Sequence, residues 1–169
     1  MKGNHTTPQN TISKSNLLCA EGKPDLDLVW KTIQDEARQI SSSEHRLTAL
    51  IEDIFISRNS IACSVAARLS RKLAREDMTR DELLPLLEEI LVDHPELVSS
   101  MVSDLIAINE RDPACHSLTQ PLLYYKGFLA LATYRLGHRM WKNNRHDLAY
   151  YFQSLASEVF GVDIHPAAQ

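Results

Sequence analysis

Few residues in this sequence could carry chemistry, and two aspartates are the most informative of them. Asp112 lies in "ERDPA" (110–114), where a helical pattern stops before a proline, so its carboxylate stands at the end of a rigid element. A carboxylate there can protrude as a functional group, or it can form the turn or cap for which Asp before Pro is common. Asp163 sits between Val162 and Ile164 in "VFGVDIHPAAQ" (159–169). In extended chain its side chain faces opposite to those two aliphatics, whose own faces want burial. Read from the residues alone, a functional and a structural role for Asp163 carry equal weight.

The other candidates favour structural roles. His138, in "YRLGHRMW", has no His, Cys, Asp or Glu three or four residues away, so it lacks the face-sharing partner of a helix-borne metal pair. It is expected to be a packed or hydrogen-bonded helix histidine. His146 beside Asp147 reads as helix-end charge and capping, and His45, His94 and His116 fall at caps or loops. Cys19, Cys63 and Cys115 are odd in number and widely spaced, which suits a reducing compartment and predicts neither disulfide nor zinc site. There is no GxSxG elbow and no Gly-rich phosphate loop among five glycines. No metal is expected.

The elements that must position these residues are helical. Leu26, Trp30, Ile33, Ala37 and Ile40 form one apolar stripe; "SSSE" (41–44) punctuates it and can cap the next segment. Leu47 to Phe55 gives a second stripe, and Ile61, Val65, Leu69 and Leu73 a third. "TRDE" (79–82) is a capping box opening a helix that "DHPE" (93–96) ends, and Pro95 begins the next. After the loop "RDPACHSLTQP" (111–121) come a long helix from about Pro121 to Trp141 and a last one from about Asp147 to Phe160, closed by Gly161. The tyrosine pairs 124–125 and 150–151 are expected in the core. Lys126, Arg135, Arg139, Lys142 and Arg145 are expected on a solvated face.

The fold class is therefore all-α: a multi-helix bundle over 25–161, a disordered leader over 1–24, and a short extended segment over 162–169. "IHPAAQ" (164–169) fits one hexapeptide turn of a left-handed β-helix, with Ile164 at the inner corner and Ala168 as the small residue. The net charge of −4 argues against a nucleic-acid surface, and no apolar run approaches the roughly 20 residues that cross a bilayer. The leader lacks arginine and an amphipathic pattern, so a cytoplasmic location is expected rather than an organellar one.

Taken together, "VWKTIQDEAR" (29–38), "DLIAINERDPA" (104–114), "TQPLLYYKGFLALATYRLGHRMW" (119–141) and "VFGVDIHPAA" (159–168) resemble, in order and spacing, the amino-terminal part of serine acetyltransferase. That family transfers the acetyl group of acetyl-CoA to the hydroxyl of L-serine in cysteine biosynthesis. The resemblance implies that Asp163 is the catalytic dyad aspartate, orienting a histidine carried on the β-helix. It implies that Asp112 helps bind the substrate serine, and that 162–169 begins a hexapeptide-repeat domain. The family's catalytic histidine and acetyl-CoA groove lie past "HPAA", so the 169 residues alone are expected to bind no acetyl-CoA and to be inactive. The implied partners are further copies of the chain, joining trimers into a hexamer, and cysteine synthase, which docks on a tail not among these residues. The alternative is a non-catalytic truncated paralogue acting as a helical assembly module.

Overall fold

The computed structural model describes residues 17–19 and 22–169. Eight α-helices account for most of them: α1 (Leu26–Ser43), α2 (Thr48–Ile51), α3 (Ile61–Leu73), α4 (Arg80–Asp93), α5 (Pro95–Arg111), α6 (Thr119–Tyr124), α7 (Lys126–Lys142) and α8 (His146–Phe160). Among the described residues there is no strand, only an isolated bridge between Leu18 and Pro24. The leader expected over 1–24 lies mostly outside the described residues. Its described parts fold back on α1: Leu17 is buried in the core and its carbonyl accepts the Asp25 amide at 2.9 Å.

The sequence signals act where they stand. Asp25 accepts the Leu28 amide at 3.0 Å to start α1, and Ser60 accepts that of Cys63 at 3.2 Å to start α3. In the Thr79–Glu82 box, Glu82 reaches back to the Thr79 amide at 2.8 Å and takes its hydroxyl at 2.7 Å. Gly161, at φ 74°, ends α8 in the left-handed conformation that glycine adopts without strain. The apolar stripes meet in one core, with Ile33, Phe55, Leu87, Met101, Leu105 and Phe152 fully enclosed. Each such side chain contributes about 1.5–3 kcal/mol by leaving water.

The second stripe is not one helix. A 3₁₀ turn (His45–Leu47), α2, and a π-helical turn (Glu52–Ile56) succeed one another, the last marked by the Ser57 amide donating to Glu52 O at 2.9 Å. The π turn presents Asp53 to three arginines. Arg58 bonds it at 2.9 Å, Arg71 at 3.1 Å, and Arg80 grips both oxygens at 2.6 and 2.7 Å. Burial pushes the Asp53 carboxyl up, but the hydrogen bonds and charge of Arg80, with those of Arg71 and Arg58, outweigh it and hold it below its ordinary value.

One carboxylate thus ties the π turn to α3 and α4. Asp53→Asn is expected to destabilise the fold at neutral pH by about 1–3 kcal/mol, because three like charges lose their shared counter-charge. A depressed carboxyl stabilises only above its unfolded value, so the gap between wild type and variant should close as pH falls through the acid range. Urea midpoints at pH 7 and pH 3 check both statements.

Candidate functional site

Helix α6 is six residues long, too short to persist alone, and it is pinned at both ends by charges from distant helices. At its N-terminus Glu36 of α1 accepts the amides of Leu118 and Thr119, at 3.1 and 2.9 Å. At its C-terminus the buried Arg68 of α3 donates to Leu122 O at 3.2 Å and to Leu123 O. The signs match the helix dipole: anion at the amide end, cation at the carbonyl end. Burial raises the Glu36 carboxyl above its ordinary value, against the lowering pull of the Thr119 and Leu118 amides.

Arg68 also sits at a break that the helical pattern conceals. A continuous helix from Pro121 to Trp141 would need Leu122 O and Leu123 O for the amides of Lys126 and Gly127. Arg68 occupies both carbonyls, the last α6 bond runs from the Tyr125 amide to Pro121 O at 3.2 Å, and Tyr125 turns to extended geometry (φ −84°, ψ 107°). The expected single helix is therefore two.

Asp112 caps α5 and opens the loop that α6 holds. Its amide donates to Ile108 O at 2.9 Å, and its Oδ1 accepts the Ala114 amide at 2.9 Å, an Asx turn around Pro113. Gln120 of α6 clamps the same loop, accepting the His116 amide at 3.0 Å and donating to Ala114 O at 3.2 Å. The Asp112 carboxylate also meets the Tyr125 hydroxyl, which hydrogen-bonds to it. Asp112 lines an open cleft of about 510 Å³ between α5 and α7, floored by Ala107, Ile108, Phe128 and Leu131, with Asp104, Arg111 and Tyr125 as its polar neighbours. Burial, then the nearby Cys115 and Asp112, push the Tyr125 phenol above its ordinary value.

Asp163 lies elsewhere. Residues 162–169 run over α7 and α8, with Val162, Ile164 and Pro166 lining a narrow groove against Ala130, Gly137 and Phe152. Asp163 faces outward between the two aliphatics, as the alternation requires, and accepts Gln153 Nε2 at 2.6 Å. The segment is extended up to a turn at Pro166–Ala167 and forms no strand. Asp112 and Asp163 share no cleft among the described residues.

Other expectations fare unevenly. His138 is hydrogen-bonded, through Nδ1 to Pro166 O at 2.7 Å, and His146 stacks on Trp141 with ring centroids 4.1 Å apart. His94 caps α5 and its Nε2 accepts Arg139 Nε at 2.8 Å. No group of three or more His, Cys, Asp or Glu among the described residues could hold a metal ion. The tyrosine pairs split instead of both entering the core: Tyr124 is 54% and Tyr150 45% exposed, while Tyr125, which has left helical geometry, and Tyr151, about 100° from Tyr150 on α8, are half-buried. The cationic face is not wholly solvated either, since Arg135 pairs with Asp104 and Arg139 with His94, tying α7 to α5. Glu36, Arg68, Asp53 and Gln153 escaped the sequence reading. Arg68 had a signal, a charge three residues beyond Val65 on the apolar side of α3.

Residues 29–133 match the family model for the N-terminal part of serine acetyltransferase. The chain belongs to the serine acetyltransferase family. A probable serine acetyltransferase 4 of Oryza sativa is 42% identical over 163 residues, 96% of this chain and 51% of that protein. A soybean serine acetyltransferase solved as a complex with serine superposes with a TM-score of 0.82 at 39% identity, covering 84% of this chain and 58% of that one. A serine acetyltransferase solved with CoA gives 0.83 at 34%, covering 85% and 61%. The chain thus spans about half the length of the curated relatives it matches.

The two-ended hold on α6 is directly testable. Glu36→Ala strips the Leu118 and Thr119 amides of their acceptor and should cost about 1–2 kcal/mol. Because the folded carboxyl is raised, its ionisation opposes folding, so this contribution declines as pH rises from the ordinary glutamate value through the raised one. Glu36→Gln removes that slope. Denaturation midpoints between pH 4 and pH 7 for wild type and both variants check the sign.

Proposed function

We propose that the chain is the helical, substrate-site part of a serine O-acetyltransferase that converts acetyl-CoA and L-serine to O-acetylserine in cysteine biosynthesis. The observation that carries this reading is the carboxylate of Asp112, held by an Asx turn and by Tyr125 at the wall of the α5–α7 cleft. Each carboxylate oxygen has more than one lone pair, so the fixed acid can still take the ammonium group of serine as a charge-assisted hydrogen bond. Asp163 supplies the second function: its carboxylate orients the histidine that deprotonates the serine hydroxyl and stabilises the imidazolium that forms. That histidine is not among the residues described. Its absence, with that of the acetyl-CoA site, makes the 169 residues inactive by themselves. Support comes from the serine and CoA complexes of the similar enzymes.

The chain also self-associates, joining trimers of the intact enzyme into a hexamer. Val92 of α4 is 66% exposed, a large apolar side chain on the surface that a second copy can cover. Cysteine synthase binds the intact enzyme through a different segment, and the assembly works in the cytoplasm. No helix among the described residues is long and apolar enough to cross a membrane.

In a chain carrying these residues together with the hexapeptide coils, Asp163→Asn should lower kcat on the order of 10²-fold or more, with assembly unchanged. Asp112→Asn should raise KM for serine. Unchanged constants in both variants would remove the two acids from the mechanism, and co-purification of the 169 residues with an intact serine acetyltransferase would favour a non-catalytic assembly module. The 169 residues alone should release no CoA from acetyl-CoA and serine, and turnover above buffer overturns that. Sedimentation showing only monomer at high concentration overturns the self-association.

A further inference from the structure

Residues 162–169 are bound to the α7–α8 hairpin by more than apolar contact. Three side chains, none of them a substrate-contacting residue in the function proposed above, hydrogen-bond to this strap. Tyr134 Oη donates to Ala168 O at 2.6 Å, His138 Nδ1 to Pro166 O at 2.7 Å, and Gln153 Nε2 to Asp163 Oδ1 at 2.6 Å. Tyr134 and His138 are four residues apart, so both project from one face of α7, their rings 5.8 Å apart. The carbonyls they meet are two residues apart and belong to one turn, closed by the Ala168 amide on His165 O at 2.9 Å and the Ala167 amide on His165 Nδ1 at 3.1 Å. Gln153 comes from the other helix and reaches the strap's acid itself.

We infer that Gln153, Tyr134 and His138 are positioning residues for Asp163: the two α7 side chains fix the strap's register and Gln153 fixes the rotation of the carboxylate. By occupying Oδ1, Gln153 leaves the other oxygen, which has no partner among the described residues, as the one that meets an incoming N–H donor. A carboxylate on extended, exposed chain would otherwise turn freely about its side-chain bonds, and an imidazole would have to order it. The inference rests on the reading of Asp163 as the partner of a histidine.

The test is NMR on the 169-residue protein. Gln153→Met keeps the volume and removes the donor, Gln153→Lys keeps a donor, and Tyr134→Phe removes one hydroxyl. Wild type should show one fixed Asp163 χ1 rotamer, Gln153→Met an averaged one, and Gln153→Lys a restored one. Tyr134→Phe should speed amide exchange at Ala167 and Ala168 roughly fivefold, the loss of one hydrogen bond. A rotamer that stays fixed in Gln153→Met, identical behaviour of the Met and Lys variants, or unchanged exchange in Tyr134→Phe overturns the inference. Wild type alone provides a check that needs no variant to fold: the Gln153 side-chain amide resonances should move as acid protonates Asp163, and their indifference also overturns it. Loss of the catalytic reading would come separately, from an unaltered kcat in Asp163→Asn, and would leave these spectra as they are.

Discussion

The hold on α6 is the constraint on which the rest of the site depends. A six-residue helix leaves most of its amides and carbonyls without internal partners, and nucleating it alone is unfavourable. Here the amides meet Glu36 and the carbonyls meet Arg68, residues 82 to 83 and 54 to 55 positions away in sequence. Arg68 is buried, with no carboxylate in contact among the described residues, so its charge is offset by carbonyl dipoles instead of an ion pair. The guanidinium satisfies two carbonyls that the break between α6 and α7 leaves without helical partners.

The α5–α7 cleft depends on this hold in two ways. Gln120, carried on α6, clamps the loop that begins at Asp112, so the orientation of that carboxylate is inherited from Glu36 through one short helix. The break at Tyr125 turns this residue out of helical register and toward Asp112 and Cys115, where a continuous helix would carry it round with its neighbours. The Arg135–Asp104 pair then closes the two helices against each other beside the same cleft.

Most of the fold was legible because its signals are local. Asp25, Thr79, Pro95 and Gly161 mark helix ends through bonds within four residues of themselves, and the apolar stripes give the buried faces directly. The two aspartates were legible for the same reason, one before a proline and one between aliphatics after a helix-ending glycine. The features that stayed hidden are non-local. Nothing in "PLLYY" reveals a break, because the Arg68 that caps it sits on α3; nothing around Asp53 reveals the arginines of α3 and α4 that meet it. Gln153 reads as an ordinary helix-surface amide until the chain doubles back over it ten residues later.

α7 links these parts because it meets the surroundings of both acids, along two stripes that adjoin at Leu131 and Tyr134. Phe128, Leu131 and Arg135 advance by three and four residues along the side that meets α5 and the Asp112 cleft. Ala130, Tyr134, Gly137 and His138 do the same along the side that meets α8 and the strap bearing Asp163. At about 100° per residue, positions 128 and 130 lie nearly opposite each other on the helix. The point at which α7 begins therefore sets the register of both stripes together, and Arg68 caps the turn that ends just before it. A shift of one residue there would rotate Tyr134 and His138 away from the strap and Phe128 away from the cleft at the same time. Two acids that share no contact are thus aligned by one rigid helix, which starts just past the turn that a buried guanidinium caps.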